Sequence, residues 1–585
     1  MRSGNGGARR VLVLDGDQGA ALSIVRSLGR LGHAVDVAAD RASSLASWSR
    51  HARQRWCYPD PLRDEGAFVG WLRDMLAGQP HDLVIPVTER TLLPAARALA
   101  PAEQARVAMA PRAALEQVVD KQRTMDLART LDVPVPLGVE LGDLAELDAA
   151  CAQLAPAGWP VVVKPSRSVG HEDGRRVPLS VGYAADRRAL EAAVRHALRF
   201  GRVLLQEYFR GDGVGVELIA DRGEIRHAFQ HRRLHEVPLT GGGSSLRVSE
   251  APTPALLQAS ERLVRALGWH GVAMVEFKLQ RETGTFRLME INGRFWGSLP
   301  LAVAAGADFP AMLLELWTQG RVADRPPARA GVLCRHLGRD LAWLEAVLRR
   351  DAPAGLVALP GRGELLRDAA LVLSPRHHFD IQSWRDPMPG LVDLGRIAAH
   401  HGARLRELLA RRRFLRRQWR MGRPGGRAAR QLQAARTVLF VCHGNINRSA
   451  LAQAYAEQRH PGRWHCLSAG FHPQAGRPAD ARMADIAREH GVEMQALRSA
   501  TLTAALLRQA EVVLVMEQAH AERLQAAHPE AASKVFLLGA AAAKTPAEVE
   551  IDDPYARPEA VYRRIFERVA RAVDACVALA DGARR

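Results

Sequence analysis

Lysine is nearly missing from this 585-residue chain: of 81 basic residues only five are Lys, at positions 121, 164, 278, 534 and 544. Where Arg serves every general purpose, each Lys that stays marks a place where a compact ammonium is wanted and a planar guanidinium is not. Cysteine is also scarce. The six residues at 57, 151, 334, 442, 466 and 576 contain no C-x-x-C pair, which excludes a zinc ribbon or a disulfide-stapled secreted fold and suits a reducing compartment. No apolar run approaches the ~18–20 residues of a membrane helix. The N-terminal segment offers only four apolar residues before Asp15, too few for a signal-peptide core, so a cytoplasmic protein is expected. What is present, 47% apolar and 25% charged residues, excludes wholesale disorder and collagen-like repeats. The net charge of +18 raises nucleic acid or an anionic surface as partners.

The chain is long enough for several domains. Residues 11–14, a glycine-containing turn at Asp15–Gly19, a helical pattern and a second apolar run at 34–38 read as a βαβ unit with a parallel sheet. Two glycines there are a weak nucleotide signal, and a tight turn that binds no nucleotide is the reading adopted. This Rossmann-like domain is placed at 1–115. From 116 to 320 short strands (159–165, 202–209, 273–279, 285–292) alternate with helices, an α+β texture. Residues 321–403 show no legible chemistry and read as an extension of that domain. Residues 404–430 hold eleven Arg and one acid, Glu407; the first half can be a helix, which Gly-Arg-Pro-Gly-Gly at 422–426 then breaks, so 404–436 reads as an Arg-rich interdomain linker. A further α/β domain is expected over 437–585.

The last domain opens with a strand, 437–442, that runs into Cys-His-Gly-Asn-Ile-Asn-Arg-Ser at 442–449. A loop between a strand and a helix lets backbone N–H groups and the helix start converge on one anion. Gly444 and Asn445 tolerate the left-handed backbone such a cradle needs. Arg448 can grip two phosphate oxygens, Cys442 can attack phosphorus as a thiolate, and Ser449 can donate to that thiolate. Cys57 and Arg63 share the C-x5-R spacing, but two of the five residues between them are prolines, which lack the N–H. Near the end, Asp553 precedes Pro554 and Tyr555 and supplies a carboxyl for protonating a leaving oxygen. With these motifs the segment resembles the low-molecular-weight protein tyrosine phosphatases. That resemblance implies Cys442 as nucleophile, Arg448 as phosphate ligand, Ser449 as thiolate donor, Asp553 as general acid, Asn445 as loop-shaping residue and no cofactor. Leu467–Phe471 resembles the family's variable substrate-facing loop. Two positions depart from the family pattern. Asn447 replaces the second loop cysteine, so no protective disulfide with Cys442 is available, and Leu497 replaces a His.

In the first half, Lys164 ends the apolar run Val161–Val163, and Lys121 lies on a helix before a proline-marked strand. Gln206-Glu207-Tyr208 ends another apolar strand, where backbone groups can read an adenine edge. Glu290 and Asn292 project from one face of a strand. With Glu276 they give hard oxygen donors for Mg²⁺ on nucleotide phosphates, and Arg294 continues the face toward the γ-phosphate. In this order and spacing the residues resemble the ATP-grasp superfamily, closest to its carbamoyl-phosphate-synthase-like and carboxylate–amine ligase branches. That implies ATP and Mg²⁺ as cofactors, Lys121 and Lys164 on the phosphates, Glu207 and Tyr208 at the adenine, Glu276, Glu290 and Asn292 on the metal, and Arg294 on the transferring phosphate. The glycine-rich loop at 240–245 resembles a flap over ATP.

The expected protein is therefore a bifunctional enzyme, an ATP- and Mg²⁺-dependent carboxylate ligase fused to a tyrosine phosphatase. Its partners would be ATP, a small-molecule carboxylate, a nucleophile and a phosphotyrosine protein or another phosphomonoester. The alternative is a nucleotide sensor that regulates the phosphatase without ligating anything. No base-reading motif accompanies the positive charge, which leaves an anionic surface as the partner residues 404–430 would suit.

Overall fold

The computed structural model describes residues 7–165, 169–172, 175–178, 181–352 and 356–582. The chain divides into two units, Met1–Ile397 and Ala398–Arg585.

The first unit opens with the parallel sheet. Arg10–Val13 lies between Ala34–Ala39 and Leu83–Ile85, with Ala52–Cys57 at the edge. Its central strands are buried on both faces, which is why they read as continuous apolar runs. Asp15 ends the first strand in the left-handed region, at φ +55°. Its carboxylate accepts from the N–H of Val87 (3.1 Å) and Thr88 (2.8 Å) and from the Thr91 hydroxyl (2.7 Å). A Cβ on Gly16 would stand 2.5 Å from Ser44 Oγ and 2.7 Å from Val37 Cγ1. The protein's own groups thus crowd the start of this turn, at Asp15 and Gly16.

Two main sheets follow, the first antiparallel and the second antiparallel except for its last, parallel pair of strands. One has four strands in the order Gly138–Leu141, Val203–Glu207, Val161–Pro165, Gly182–Ala184. The other has seven, from Phe286–Asn292 through Gly271–Leu279, Asp212–Asp221, Glu224–Val237 and Gly243–Glu250 to Leu333–Arg335 and His377–Phe379. The last two strands come from the stretch that looked mute in sequence, so it is part of the main sheet. Strand alternation sorts the core: Val214, Val216, Leu218 and Ala220 join one apolar cluster, while Gly215 and Glu217 project to the opposite face.

The second unit has a parallel sheet in the order His465–Gly470, Thr437–Cys442, Val512–Val515, Val535–Leu537. Val438, Phe440 and Cys442 pack into one cluster and Leu439 and Val441 into the other. The period of two therefore fixes which face the cysteine ends on.

The Arg-rich segment is helical up to the break at 422–426, as its sequence suggests, and its C-terminal part is docked. A single helix spans Pro387–Met421 and a second covers Arg427–Ala434. Leu415 and Gln418 are buried, Gln418 Oε1 accepts from the N–H of Leu537 (3.1 Å), and Trp419 Nε1 donates to Ala543 O (3.1 Å). Ala428, Ala429 and Leu432 are buried as well. Each buried leucine contributes about 1.5–3 kcal/mol, enough to override the charge pattern over the second half of the segment. Residues 404–413 remain largely exposed.

No single helix among the described residues is long and apolar enough to cross a membrane. The bent pair Leu299–Ala305 and Phe309–Gln319 is apolar because most of it is core.

Candidate active sites

In the second unit, Cys442 is the last residue of its strand and Arg448 the first of its helix. The five residues between them bend around the sulfur. Asn445 takes φ +53°, its N–H donates to Cys442 Sγ at 3.2 Å, and Ser449 Oγ lies 3.0 Å from the same sulfur. The Asn445 side chain fastens the loop: its amide donates to Ser449 Oγ and Ser468 Oγ, both at 2.9 Å, and its Oδ1 accepts from the N–H of Ala500 at 2.7 Å. Gly470 allows this approach. A Cβ there would meet His443 O at 2.7 Å and Asn445 N at 2.9 Å. Asn447, where the family has a second cysteine, is buried, and its Oδ1 has no partner among the described residues. Leu497 packs half-buried against the core. The unit's other cysteines, Cys466 and Cys576, are buried with thiols pushed up to about 12 by burial, so neither is a ready thiolate.

Arg448 is buried and its charge is matched on several sides. It pairs with Glu517 and with Asp553 Oδ2 (2.7 Å) and donates to Ile551 O (2.8 Å). Asp553 is half-exposed and also accepts from the N–H of Tyr555 at 3.2 Å. The five residues read from the sequence thus converge. Glu517 is one that sequence reading missed, because an acid following an apolar strand has no spacing signature. His520 is another. Burial, and then Arg448, hold its imidazole down to about 3, and it stacks on Phe471 with ring centroids 5.7 Å apart.

In the first unit a cleft of about 920 Å³ is lined by Lys164, Tyr208, Glu276, Glu290, Asn292 and Arg294, together with the 240–244 loop. Glu276 and Glu290 face each other across paired strands. The Asn292 amide donates to Glu276 Oε1 (3.0 Å) and Glu290 Oε1 (3.1 Å), while its Oδ1 accepts from Arg294 (3.0 Å). Two carboxylate oxygens therefore converge on one amide nitrogen. Burial raises Glu276 from its ordinary range against the pull of Arg233. Glu290 is half-buried, and Lys121 and the Asn292 amide bring it below. Two carboxylates of unequal basicity around one point are a donor set that suits a divalent cation once the amide turns its oxygen inward.

Lys164 points into the cleft with Gln206 beside it, and burial, with Lys121 next, lowers its ammonium to about 8. Lys121 itself is exposed, with Nζ 3.2 Å from Glu290. The expected adenine pair divides. Tyr208 lines the cleft and its hydroxyl donates to Leu356 O (3.2 Å). The Glu207 carboxylate instead accepts from the N–H of Leu137 (3.0 Å) and pairs with Arg287 (3.5 Å), and its own N–H donates to Leu137 O (2.8 Å). Phe209, two residues on from Glu207, joins Tyr208 on the lining.

Sequence reading also missed the far end of the cleft. Arg247, buried, pairs with buried Asp380, which accepts from Cys334 Sγ (3.0 Å), and both line the cleft with His336 and Arg339. On its floor, Glu217 accepts from Ser298 Oγ (2.6 Å) and lies 2.9 Å from His231 Nδ1. All of these except Cys334 and Glu217 were masked by distance along the chain, and the latter two look like ordinary strand residues.

Comparison with known proteins matches this geometry. The sequence pattern of low molecular weight phosphotyrosine protein phosphatases covers residues 437–581, and that of the ATP-grasp group described as "ATP-grasp in the biosynthetic pathway with Ter operon" covers residues 199–339. The chain is thus a multidomain α/β protein joining an ATP-grasp domain to a phosphatase domain. Over 142 residues it is 36% identical to a protein of Ralstonia solanacearum, the probable low molecular weight protein-tyrosine-phosphatase EpsP, covering 24% of this chain and 94% of that protein. The phosphatase Etp of Escherichia coli is 34% identical over 136 residues, 23% of this chain and 88% of Etp. Through its second unit the chain belongs to the low molecular weight protein-tyrosine-phosphatases. Among solved structures, the L-amino acid ligase of Bacillus licheniformis aligns over 53% of this chain and 74% of that one, at 21% identity and a TM-score of 0.42.

Proposed function

We propose that the protein is a bifunctional enzyme, an ATP-dependent carboxylate ligase and a phosphomonoester hydrolase that works through a phosphocysteine. For the hydrolase, the carrying observation is the Cys442 sulfur held between the Asn445 N–H and Ser449 Oγ, with Arg448 beside Asp553. A phosphate entering the loop takes the bidentate face of Arg448 and displaces the Asp553 carboxylate, which takes up a proton from solvent and turns toward the leaving oxygen. Sγ attacks phosphorus, the phosphorus–oxygen ester bond breaks, and protonated Asp553 gives its proton to the departing oxygen. Water then hydrolyses the sulfur–phosphorus bond, with Asp553, now a carboxylate, accepting its proton. Phe471 and Tyr555 offer apolar surface for an aromatic ester such as phosphotyrosine. Hydrolysis of p-nitrophenyl phosphate tests this reading: wild type turns over, Cys442→Ser does not, and retained activity in that variant would refute it.

For the ligase, the carrying observation is the convergence of Glu276, Glu290 and Asn292 beside Lys164 and Arg294. These three would hold a Mg²⁺ ion, which when bound neutralises phosphate charge. Lys164 and Lys121 bind phosphate oxygens, Tyr208 and Phe209 flank the base, and Arg294 orients the γ-phosphate toward a carboxylate. The resulting acyl phosphate would be attacked by an amine or another nucleophile. Lys164, Tyr208, Glu276, Glu290, Asn292 and Arg294 meet in one cleft, which favours a working ligase over a sensor. ATP with Mg²⁺ should raise Tm in the wild type, and a Glu290→Ala/Asn292→Ala variant should lose that shift. An equal shift in both proteins would count against the site.

A further inference from the structure

In the second unit, the helix that ends at Met421 carries a row of exposed leucines. Leu405, Leu408 and Leu409 are 57%, 48% and 40% exposed. Their spacings of three and four keep them on one stripe of an α-helix. The stripe is flanked on both sides by arginine. On a helical projection Arg406 and Arg413 fall on one border and Arg404 and Arg411 on the other, with Arg412 and Arg416 closing the C-terminal end. All but Arg404 are exposed, and Arg411 also reaches Glu550 at 2.5 Å. From 404 to 417 there are seven arginines and one acid, Glu407.

Apolar side chains of this size, exposed in a row, mark a surface meant to be covered. The charge says by what. A second copy of the helix would set seven arginines against seven, a like-charge arrangement that disfavours pairing. A nucleic acid would match the arginines but has no use for the leucines. An anionic lipid surface satisfies both, since leucines enter the acyl boundary while arginines stay at the headgroup level, their stems snorkelling along the apolar face. The helix is far too charged to span a bilayer, in keeping with the absence of any single spanning helix among the described residues. We propose that the helix segment 404–416 is an interfacial membrane anchor that binds bilayers rich in anionic lipid by lying in their surface.

The test is flotation of the full chain with vesicles of phosphatidylcholine alone or mixed with phosphatidylglycerol, at low and high salt. Binding should favour the anionic vesicles by about tenfold or more and weaken with salt. Leu405→Asp/Leu408→Asp/Leu409→Asp and, separately, Arg406→Gln/Arg412→Gln/Arg413→Gln/Arg416→Gln should each reduce it by about tenfold or more. p-Nitrophenyl phosphate turnover reports that each variant is folded, since none of these residues touches the phosphatase loop. Four results would overturn the proposal: equal binding to neutral vesicles, no binding, a leucine variant that binds as wild type does, or a leucine-dependent dimer that ignores vesicles. Tight binding to duplex DNA that survives loss of the leucines would assign the surface to nucleic acid instead.

Discussion

Two titratable residues show how burial sets chemistry one side chain at a time. Lys164, held to about 8, is mostly protonated at neutral pH and loses its proton just above it. Phosphate oxygens beside the ammonium favour the charged form, so ATP binding near pH 8.5 should take up a proton, as many as about one per site. Calorimetry in two buffers of different ionisation enthalpy measures this, and Lys164→Arg should abolish the uptake because a guanidinium does not titrate there. His520 works in the opposite direction. Its folded value of about 3 lies below the ordinary 6.5, so the native state holds it neutral while the unfolded chain protonates it. The stability this gives is complete above pH 6.5 and is lost as pH falls toward 3. A Tm series from pH 7 to pH 4 should therefore fall less steeply in His520→Phe than in wild type. At the same scale, Asp553→Asn should lower kcat for p-nitrophenyl phosphate by about 10²–10⁴-fold, the usual worth of a positioned acid, while phosphate inhibition persists because Arg448 keeps Glu517.

Elements decide which residues meet, and here the sequence was legible in part. The phosphatase loop could be read whole because strand, loop and helix are contiguous, so C-x5-R spacing and Gly444 and Asn445 carry the geometry by themselves. The ATP cleft was legible where one strand supplies several groups, as with Glu290, Asn292 and Arg294. It was not legible where separate elements converge: Arg247 meets Asp380 across 133 residues, and Glu517 reaches Arg448 across 69. Glu207 illustrates another limit, because a strand end names two neighbouring residues but not which side chain faces the cleft. The docking of the Arg-rich segment was not legible because composition reports solvent preference and not the few buried side chains, Leu415, Gln418 and Leu432, that hold it. Packing between elements also sets a test. Gly470 ends the strand beside the loop, with Asn445 N only 2.9 Å from where a Cβ would stand. Gly470→Ala should push the loop off its sulfur and lower kcat/KM by about tenfold or more, with a smaller effect on Tm than on rate.

At the scale of the whole molecule, the charge that opened the possibility of nucleic acid is unevenly placed. The phosphatase domain, 437–585, has 18 basic and 17 acidic residues, whereas 404–430 alone carries eleven arginines against one acid. The two chemistries are also segregated. Lys164, Glu276, Glu290, Asn292 and Arg294 all lie before Ile397, and Cys442, Arg448, Glu517 and Asp553 all lie after it. No residue assigned to one site comes from the other's unit, and each core is closed around its own sheet. Independent units should unfold and fail independently. Cys442→Ser should therefore leave the ATP-induced Tm shift unchanged, and Glu290→Ala/Asn292→Ala should leave kcat/KM for p-nitrophenyl phosphate within about twofold of wild type. If saturating ATP changed that kcat/KM several-fold in wild type and not in the double variant, the cleft would be a regulator of the phosphatase, and the sensor reading would replace the ligase.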